Sequence, residues 1–554
     1  MKCTSDQSTD NQAPPAVLYY RMGDGPSLVR DVLESKGWQP YVEGSSPYWN
    51  LWWKGSRYRN SEYENCRPWQ RLNHFPKTAV ITRKGLYGSF LVFAHLIWAE
   101  FLSFVGFRKD TLFRLLRTMK GIHGAAYDFF PQGFSLPNEY LKFVRVYSEE
   151  DEKGLQVRDR ELCPAEKFPT MWICKPADSS RGRGIFVFRN LCDLTYDCHT
   201  MSEKLKELRL LSAIVQRYIP RPWLISGYKF DMRCYVVVKS YNPLIVYLYD
   251  EGLARFATDL FADLAFRPPN ILRTIPTMKS SYDTTALGNV FSHLTNTSIN
   301  KLSPTLDHNK DEIGPGCRWT FRRLRAYFED RELDFDRLWR RMQGIILLTL
   351  LPVSPEVPKT PGGCFELYGF DIIIDESMRP WLLEVNLSPA LSVESDVDMV
   401  IKRFSGLDFA LTRFIFPKPL IEDVVAVAGI TQEHAAQAEA YAATQAVQYT
   451  KGSPSLLPGF CPPPADARIG NFRRIFPYNR VSAGWKVEKG GSGPSPQLDV
   501  LATHVRGHLR EDKRESNAAF GFSTSPPLHS NTASYHFGSS PLSGEWFKTS
   551  KKRS

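Results

Sequence analysis

A chain of 554 residues is too long for one compact core, which implies two or three structural units plus tails. Hydrophobic residues at 43% and charged residues at 23% are ordinary for a soluble globular protein and set aside a fibrous or wholly disordered chain. Lys+Arg (70) outnumber Asp+Glu (59), and the resulting +11 favours an acidic partner, whether nucleic acid, anionic lipid or an acidic protein tail, without choosing among them.

Residues 1–16 are polar and lack the apolar core of a secretory signal, so they read as a disordered leader on a cytoplasmic protein. Residues 17–169, rich in aromatic and basic side chains, form the expected N-terminal domain. Within it, Leu86 to Phe107 is apolar and about long enough to span a bilayer, yet carries His95 and Glu100. A carboxylate in the middle of a span is costly. The segment 86–107 is therefore expected to be an insertion and not a membrane anchor. The ten cysteines include no C-x-x-C pair, and Cys174, Cys234 and Cys364 sit in apolar runs, so reduced buried thiols are expected rather than a zinc site or disulfide framework.

Between 170 and 250 short β-rich runs dominate (WICK, IFVF, IVQRY, FDMRCYVVV, LIVYLYD), separated by Gly, Pro and charged residues, which predicts a sheet-based central domain. A further domain is expected over 251–430, interrupted at 404–418. In it Arg318 to Leu351 has helical spacing, and CFELYGFDIIID and PWLLEVN read as strands. The Ala/Gln-rich stretch at 431–450 predicts one helix. The Ser/Gly/Pro-rich remainder, 451–554, predicts a disordered tail. The mixture of strands and helices argues for an α+β or α/β architecture.

The chemistry concentrates in three places. In Lys229–Tyr235, strand alternation puts Lys229, Asp231, Arg233 and Tyr235 on one face and Phe230, Met232 and Cys234 on the other. Alone, that charged face could be the solvated side of an edge strand. Asp371 lies among large apolar residues, and Glu384 and Asn386, two apart, share one strand face. Three oxygen ligands on adjacent strands suit Mg²⁺, the alternative being a hydrogen-bonded polar pair at a strand end. Upstream, Lys175 precedes a loop with Gly182 and Gly184, whose backbone N–H groups, with Arg181 and Arg183, could fold over phosphates. The loop does not have the Walker A pattern.

In this order, the strings NHFPKT (73–78), KPADSSRGRGIFVF (175–188), VQRYI (215–219), GYKFDMRCYVVV (227–238), YLYDEGLARFAT (247–258), HLTNTSINK (293–301), FELYGFDIIID (365–375) and PWLLEVNLSPAL (380–391) resemble the tubulin tyrosine ligase-like family over about residues 17–430. The resemblance implies an α+β, ATP-grasp fold: two antiparallel sheet subdomains clasping ATP behind an N-terminal α/β domain. It implies that Lys175 and the Arg181–Gly184 loop bind phosphates. Gln216, with Arg217, Tyr218 and Ile219 at the hinge, would contact adenine. Lys229, Asp231 and Arg233 would line the cleft around the γ-phosphate. Arg255 would receive the α-carboxylate of a free amino acid beside Thr295 and Asn296, a task suited to a guanidinium fork. Asp371, Glu384 and Asn386 would hold two Mg²⁺ ions.

The family's strand-end lysine is split here, with Lys84 on one side of the apolar segment and Lys109 on the other, and either could serve. The implied reaction runs through an acyl-phosphate: an acceptor carboxylate attacks the γ-phosphate, and the amine of a free amino acid then displaces phosphate to leave an amide. The style of the sequence resembles the polyglutamylase branch, with L-glutamate added to side chains in acidic tubulin tails. Glycine or tyrosine addition, or a silent microtubule-binding protein of the same fold, are the alternatives. The resemblance implies a monomer at microtubules, including those of the cilium or flagellar basal body, with no nucleic-acid partner.

Overall fold

The computed structural model of the chain describes residues 16–44, 48–78, 110–158, 170–176, 182, 184–191, 194, 213–261, 289–306, 313–314, 317–387, 389, 417–447 and 468–476. Lys84, Lys109, Arg181, the apolar segment 86–107 and residues 404–416 lie outside them. Among the described residues no helix is long and apolar enough to cross a membrane.

The N-terminal unit comprises β1 (Tyr19–Met22), α1 (Ser27–Ser35), β2 (Gln39–Pro40), β3 (Leu51–Trp53), α2 (Asn60–Glu64) and β4 (Arg71–Leu72). Its strands pair in parallel, β4-β3-β1-β2. Helix α1 buries Val29, Val32 and Leu33, the three- and four-residue spacing of one helical face.

The next unit holds α3 (Asp110–His123), β5 (Gly133–Leu136), α4 (Tyr140–Arg158), β6 (Trp172–Pro176), β7 (Phe186–Phe188) and β8 (Ala213–Arg217). Its four strands form an antiparallel sheet in the order β5-β8-β6-β7. Alternation along β6 sorts its residues: Trp172 and Cys174 join the core with Phe134, Phe143 and Phe188, whereas Ile173 and Lys175 turn to the opposite face. Residues 133–147, assigned from sequence to the N-terminal domain, thus share a sheet and a core with 172–176, 186–188 and 213–217.

The largest sheet begins with β9 (Leu224–Ile225), β10 (Tyr228–Tyr241) and β11 (Leu244–Phe256). After α5 (Val290–His293) and α6 (Thr297–Asn300) come β12 (Arg318–Thr320), α7 (Phe321–Glu329) and α8 (Phe335–Leu350). Then follow β13 (Gly363–Cys364), which adds in parallel to β4, and β14 (Glu366–Ile374) and β15 (Pro380–Leu387). Helices α9 (Pro417–Ala428) and α10 (Gln432–Val447) and the hairpin β16 (Arg468–Ile469) and β17 (Phe472–Phe476) complete the described chain. The sheet runs β15-β14-β10-β11-β17-β16, with β9 on β10 and β12 on β11, all antiparallel.

Strand β10 is central and covered on both sides, which is why its middle, residues 234–238, is continuously apolar. Phe230, Met232, Cys234, Val236 and Val238 face one core with α7 and α8, and Tyr235 and Val237 face a second with α1 and α9. The N-cap side chains of Thr320 and Asp334 accept from the backbone N–H of Arg323 and Arg337 and start α7 and α8.

Three sequence expectations change. The boundary at 250 does not separate sheets, because it falls inside β11 (Leu244–Phe256), which pairs with β10 in one sheet. The helical reading of Arg318–Leu351 splits: residues 318–320 pair with β11, and a turn at 330–334 separates two helices. Residues 468–476, inside the expected disordered tail, are a hairpin whose Phe472, Ile475 and Phe476 are buried. Five residues reading Phe-Arg-Arg-Ile-Phe amid Ser, Gly and Pro carry no period of two, so they do not register as a strand. Among the described residues Cys66, Cys174, Cys234, Cys317 and Cys364 are buried and in no disulfide.

Candidate functional site

The four-stranded and the large antiparallel sheets face each other across a cleft enclosing ≈ 790 Å³ including its open mouth. Lys175, Gln216, Arg217, Tyr218 and Ile219 line it from one side, and Lys229, Asp231, Arg255, Asp371 and Glu384 from the other, with Thr295 and Asn296 beside them. The structure therefore brings together most of the residues singled out from the sequence. Arg233 and Asn386 reach the same place through Asp371. Gly182 and Gly184 have φ of +80° and +70°, and a Cβ on Gly182 would come within 2.2 Å of Ile299 Cδ1, so only glycine lets this loop lie against α6.

Strand register builds the charged floor. On β10, Asp231 is opposite Arg255 of β11, and Arg233 is opposite Asp371 of β14. The central strand thus presents an anion to one neighbour's cation and a cation to the other neighbour's anion. Arg255 grips Asp231 through Nε and Nη2, at 2.7 and 2.5 Å, and its Nη2 also lies 2.9 Å from Asp371 Oδ2. Arg233 holds both oxygens of Asp371, and Thr295 Oγ1 donates to Asp231 Oδ2 at 2.8 Å. The edge-strand alternative for this face does not apply, since β10 is flanked on both sides. Buried charges persist here because each has an opposite charge and hydrogen bonds.

Burial alone would raise the Asp371 carboxyl, but the Arg233 and Arg255 guanidiniums outweigh it and hold it well below the ordinary carboxylate range. Across the sheet, burial likewise opposes ionisation of Glu366, and hydrogen bonding from His74 with the charge of Arg57 overcomes it. Glu366 accepts from Thr78 Oγ1 at 2.9 Å and Tyr368 OH at 2.7 Å, and lies 3.1 Å from His74 Nδ1. This buried knot explains the NHFPKT string: it fastens the end of the N-terminal unit to β14. Both carboxyls are depressed in the folded state, so their contribution to stability is complete above the ordinary values of 3.8 and 4.5 and is lost as pH falls below them. Urea unfolding at about pH 7 and about pH 3.5 is expected to show a loss on the order of 1 kcal/mol per carboxylate at the lower value, growing as pH falls further toward the depressed folded-state values. Equal stabilities at the two values would contradict the ion-pair assignment.

Asp371 and Glu384 are cross-strand partners on β14 and β15. Asn386 Nδ2 lies 3.1 Å from both Asp371 Oδ2 and Glu384 Oε1. The three side chains converge, and exchange of the amide's nitrogen and oxygen, a half-turn of one torsion, would present a third oxygen to the same point. The donor set is all oxygen and carries two carboxylates, which suits a hard divalent ion. Among the described residues no group of three His, Cys, Asp or Glu is placed to hold a metal, so an ion bound by Asp371 and Glu384 would draw its further oxygens from Asn386 or from non-protein groups.

Reading the sequence missed the apolar walls and one histidine. Ile173 and Ile185 on one side and Ile373 and Leu383 on the other line the cleft, as does His293. Alternation could have found Ile173 and Ile373, each two residues from a selected charged residue. His293 stands two before Thr295, but its α5 context has no periodic signal.

Comparison with known proteins gives a consistent picture. A profile described as the tubulin-tyrosine ligase family matches residues 101–405, which takes in all the described cleft residues. The chain is 36% identical over 381 residues to the human (Homo sapiens) protein named "Probable tubulin polyglutamylase TTLL2", covering 68% of this chain and 52% of that protein. The Mus musculus protein of the same name is 36% identical over 396 residues, 71% of this chain and 60% of that one. The Caenorhabditis elegans protein "Tubulin polyglutamylase ttll-5" is 31% identical over 388 residues, 68% and 44% of the respective chains. The matched part thus spans roughly half of these relatives' length.

Proposed function

The chain belongs to the tubulin-tyrosine ligase family, and on that premise we propose that it is an ATP-dependent ligase that adds L-glutamate to glutamate side chains in the acidic tails of tubulin. The supporting observation is the cleft between two antiparallel sheets, where cations meet a convergent set of carboxylates. In this reading the two sheets are the halves of an ATP-grasp fold. The base lies between Ile173 and Ile185 on one wall and Ile373 and Leu383 on the other, near the Tyr218–Ile219 backbone. These walls exclude water, which strengthens every charge interaction inside.

Lys175 and Lys229 set positive charge against the phosphates. Lys175 is steadied by Gln216 Oε1 at 2.8 Å, which in turn holds the Pro131 carbonyl through Nε2 at 3.2 Å. Arg255, fixed by Asp231 and Asp371, orients the incoming amino acid by its carboxylate, and Thr295 keeps Asp231 in place. Asp371, Glu384 and Asn386 would hold Mg²⁺, which supplies charge stabilisation to phosphoryl transfer when bound. The acceptor carboxylate and the amino-acid amine need no covalent enzyme nucleophile. The formal charge of +11 suits an acidic acceptor tail.

Incubation of the purified protein with microtubules, ATP and separately labelled glutamate, glycine and tyrosine tests this reading. ATP-dependent incorporation of glutamate alone is the expected result. Incorporation of glycine or tyrosine instead would replace the amino-acid assignment, and microtubule binding without any incorporation would overturn the ligase reading.

A further inference from the structure

We propose that the Tyr218 hydroxyl and His293 are positioning groups that hold the Lys229 ammonium with one N–H aimed into the cleft. The role rests on the ligase reading for its effect on catalysis, and on geometry for its existence.

Lys229 is buried and lines the cleft. An ammonium has three N–H donors and no acceptor. Two are used within the fold: Lys229 Nζ donates to Tyr218 OH at 2.8 Å and to the His293 main-chain oxygen at 2.9 Å. No third acceptor is present among the described residues. The Tyr218 ring lies 4.4 Å below the same nitrogen, which closes that side to water. The remaining N–H is thus restricted to the open side, where an anionic ligand would sit.

The hydrogen-bond chain has a direction. Since Lys229 can only donate, the Tyr218 oxygen accepts, and the hydroxyl's own proton goes to His293 Nδ1, 3.0 Å away. His293 therefore carries its proton on Nε2. The tyrosine thus contributes twice, as an acceptor for the charged lysine and as the donor that fixes the histidine tautomer. The groups facing Lys229 are Asp231 on its own strand, Lys175 on β6, Tyr218 after β8, His293 on α5 and the Phe261 ring. Burial, opposed by Asp231 and joined by Lys175, pulls the lysine down to about 7. A cation in that range depends on its acceptors to stay charged.

Tyr218→Phe keeps the ring and removes only the hydroxyl. With ATP, glutamate and microtubules as substrates, it is expected to raise the KM for ATP about tenfold, the scale of one hydrogen bond to a charged group. It should also move the alkaline limb of kcat/KM for ATP to lower pH, because the charged lysine loses an acceptor. His293→Ala is expected to do the same, and His293→Asn, whose amide oxygen can take the place of Nδ1, to restore the wild-type limb. An activity loss without a shift of that limb would overturn the proposal, as would an unchanged KM. Selective ¹⁵N-histidine NMR of the full chain gives a readout without catalysis: an Nε2–H tautomer at His293 that is lost in Tyr218→Phe is expected, and an Nδ1–H tautomer in the wild type would overturn the chain of bonds. Absence of any wild-type transfer with the expected tautomer present would sink the ligase reading and the catalytic effect while leaving the hydrogen-bond geometry intact.

Discussion

Replacing Glu384 with Gln is expected to cut ATP-dependent glutamate transfer by about 10²–10³-fold, the scale of removing a preorganised electrostatic contact, while the melting temperature stays within about 2 °C of wild type. Glu384 is only half-buried, and among its partners is the Asn386 amide, which a glutamine can also meet. Asp371→Asn is expected to behave differently, although the two carboxylates are opposite each other on β14 and β15. Asp371 is 2% exposed and neutralises the guanidiniums of Arg233 and Arg255. Its loss would leave buried positive charge with less compensation, at a cost of about 3–5 kcal/mol. Melting should therefore fall by about 10 °C or more, together with activity. Labelled-glutamate transfer and thermal melting of both variants check the contrast. Undiminished transfer by Glu384→Gln would remove the metal assignment, and wild-type melting of Asp371→Asn would show that the ion-pair network contributes little to the fold.

A chain ending at residue 467 is expected to lose several kcal/mol of stability relative to one ending just after Phe476. Strand β17 pairs with Val246–Tyr249 of β11, and Phe472, Ile475 and Phe476 are at most 4% exposed. Burying each such side chain is worth about 1.5–3 kcal/mol, so losing three of them approaches the ~5–15 kcal/mol that keeps a typical protein folded. Removal would also bare the β11 edge, a template for aggregation. Asn471 donates its backbone N–H to Asp423 Oδ2 of α9 at 2.9 Å, so the hairpin ties that helix to the sheet as well. Denaturant titration and size-exclusion chromatography of the two truncations decide the matter. Equal midpoints and equal monomer fractions would show the hairpin to be dispensable.

Much of the fold was legible where a period was long and clean. The runs FDMRCYVVV, LIVYLYD, FELYGFDIII and PWLLEVN became β10, β11, β14 and β15, and the Ala/Gln-rich stretch became α10. The break between α7 and α8 was hidden, because apolar spacing continues across it and the turn at 330–334 has neither Gly nor Pro. The candidate site was legible as charged residues interrupting apolar strands: Lys229, Asp231, Arg233, Asp371 and Glu384 all come to one cleft or its floor. His293 and the isoleucine walls were not legible, since a single histidine in a four-residue helix and apolar residues among apolar residues have no distinguishing pattern.

By itself the sequence determined which side chains share a strand face, because a period of two is a local property of the backbone. It also determined that carboxylates and lysines embedded in apolar runs need compensation, since ionised groups are costly to bury alone. Only the tertiary structure decided who compensates whom. Asp231 is paired with Arg255 and Asp371 with Arg233 through strand register, which is fixed by contacts between segments far apart in the chain. The same holds for residues 468–476, whose few apolar side chains, without a period of two, became a strand only because β11 offered an open edge and a core to fill.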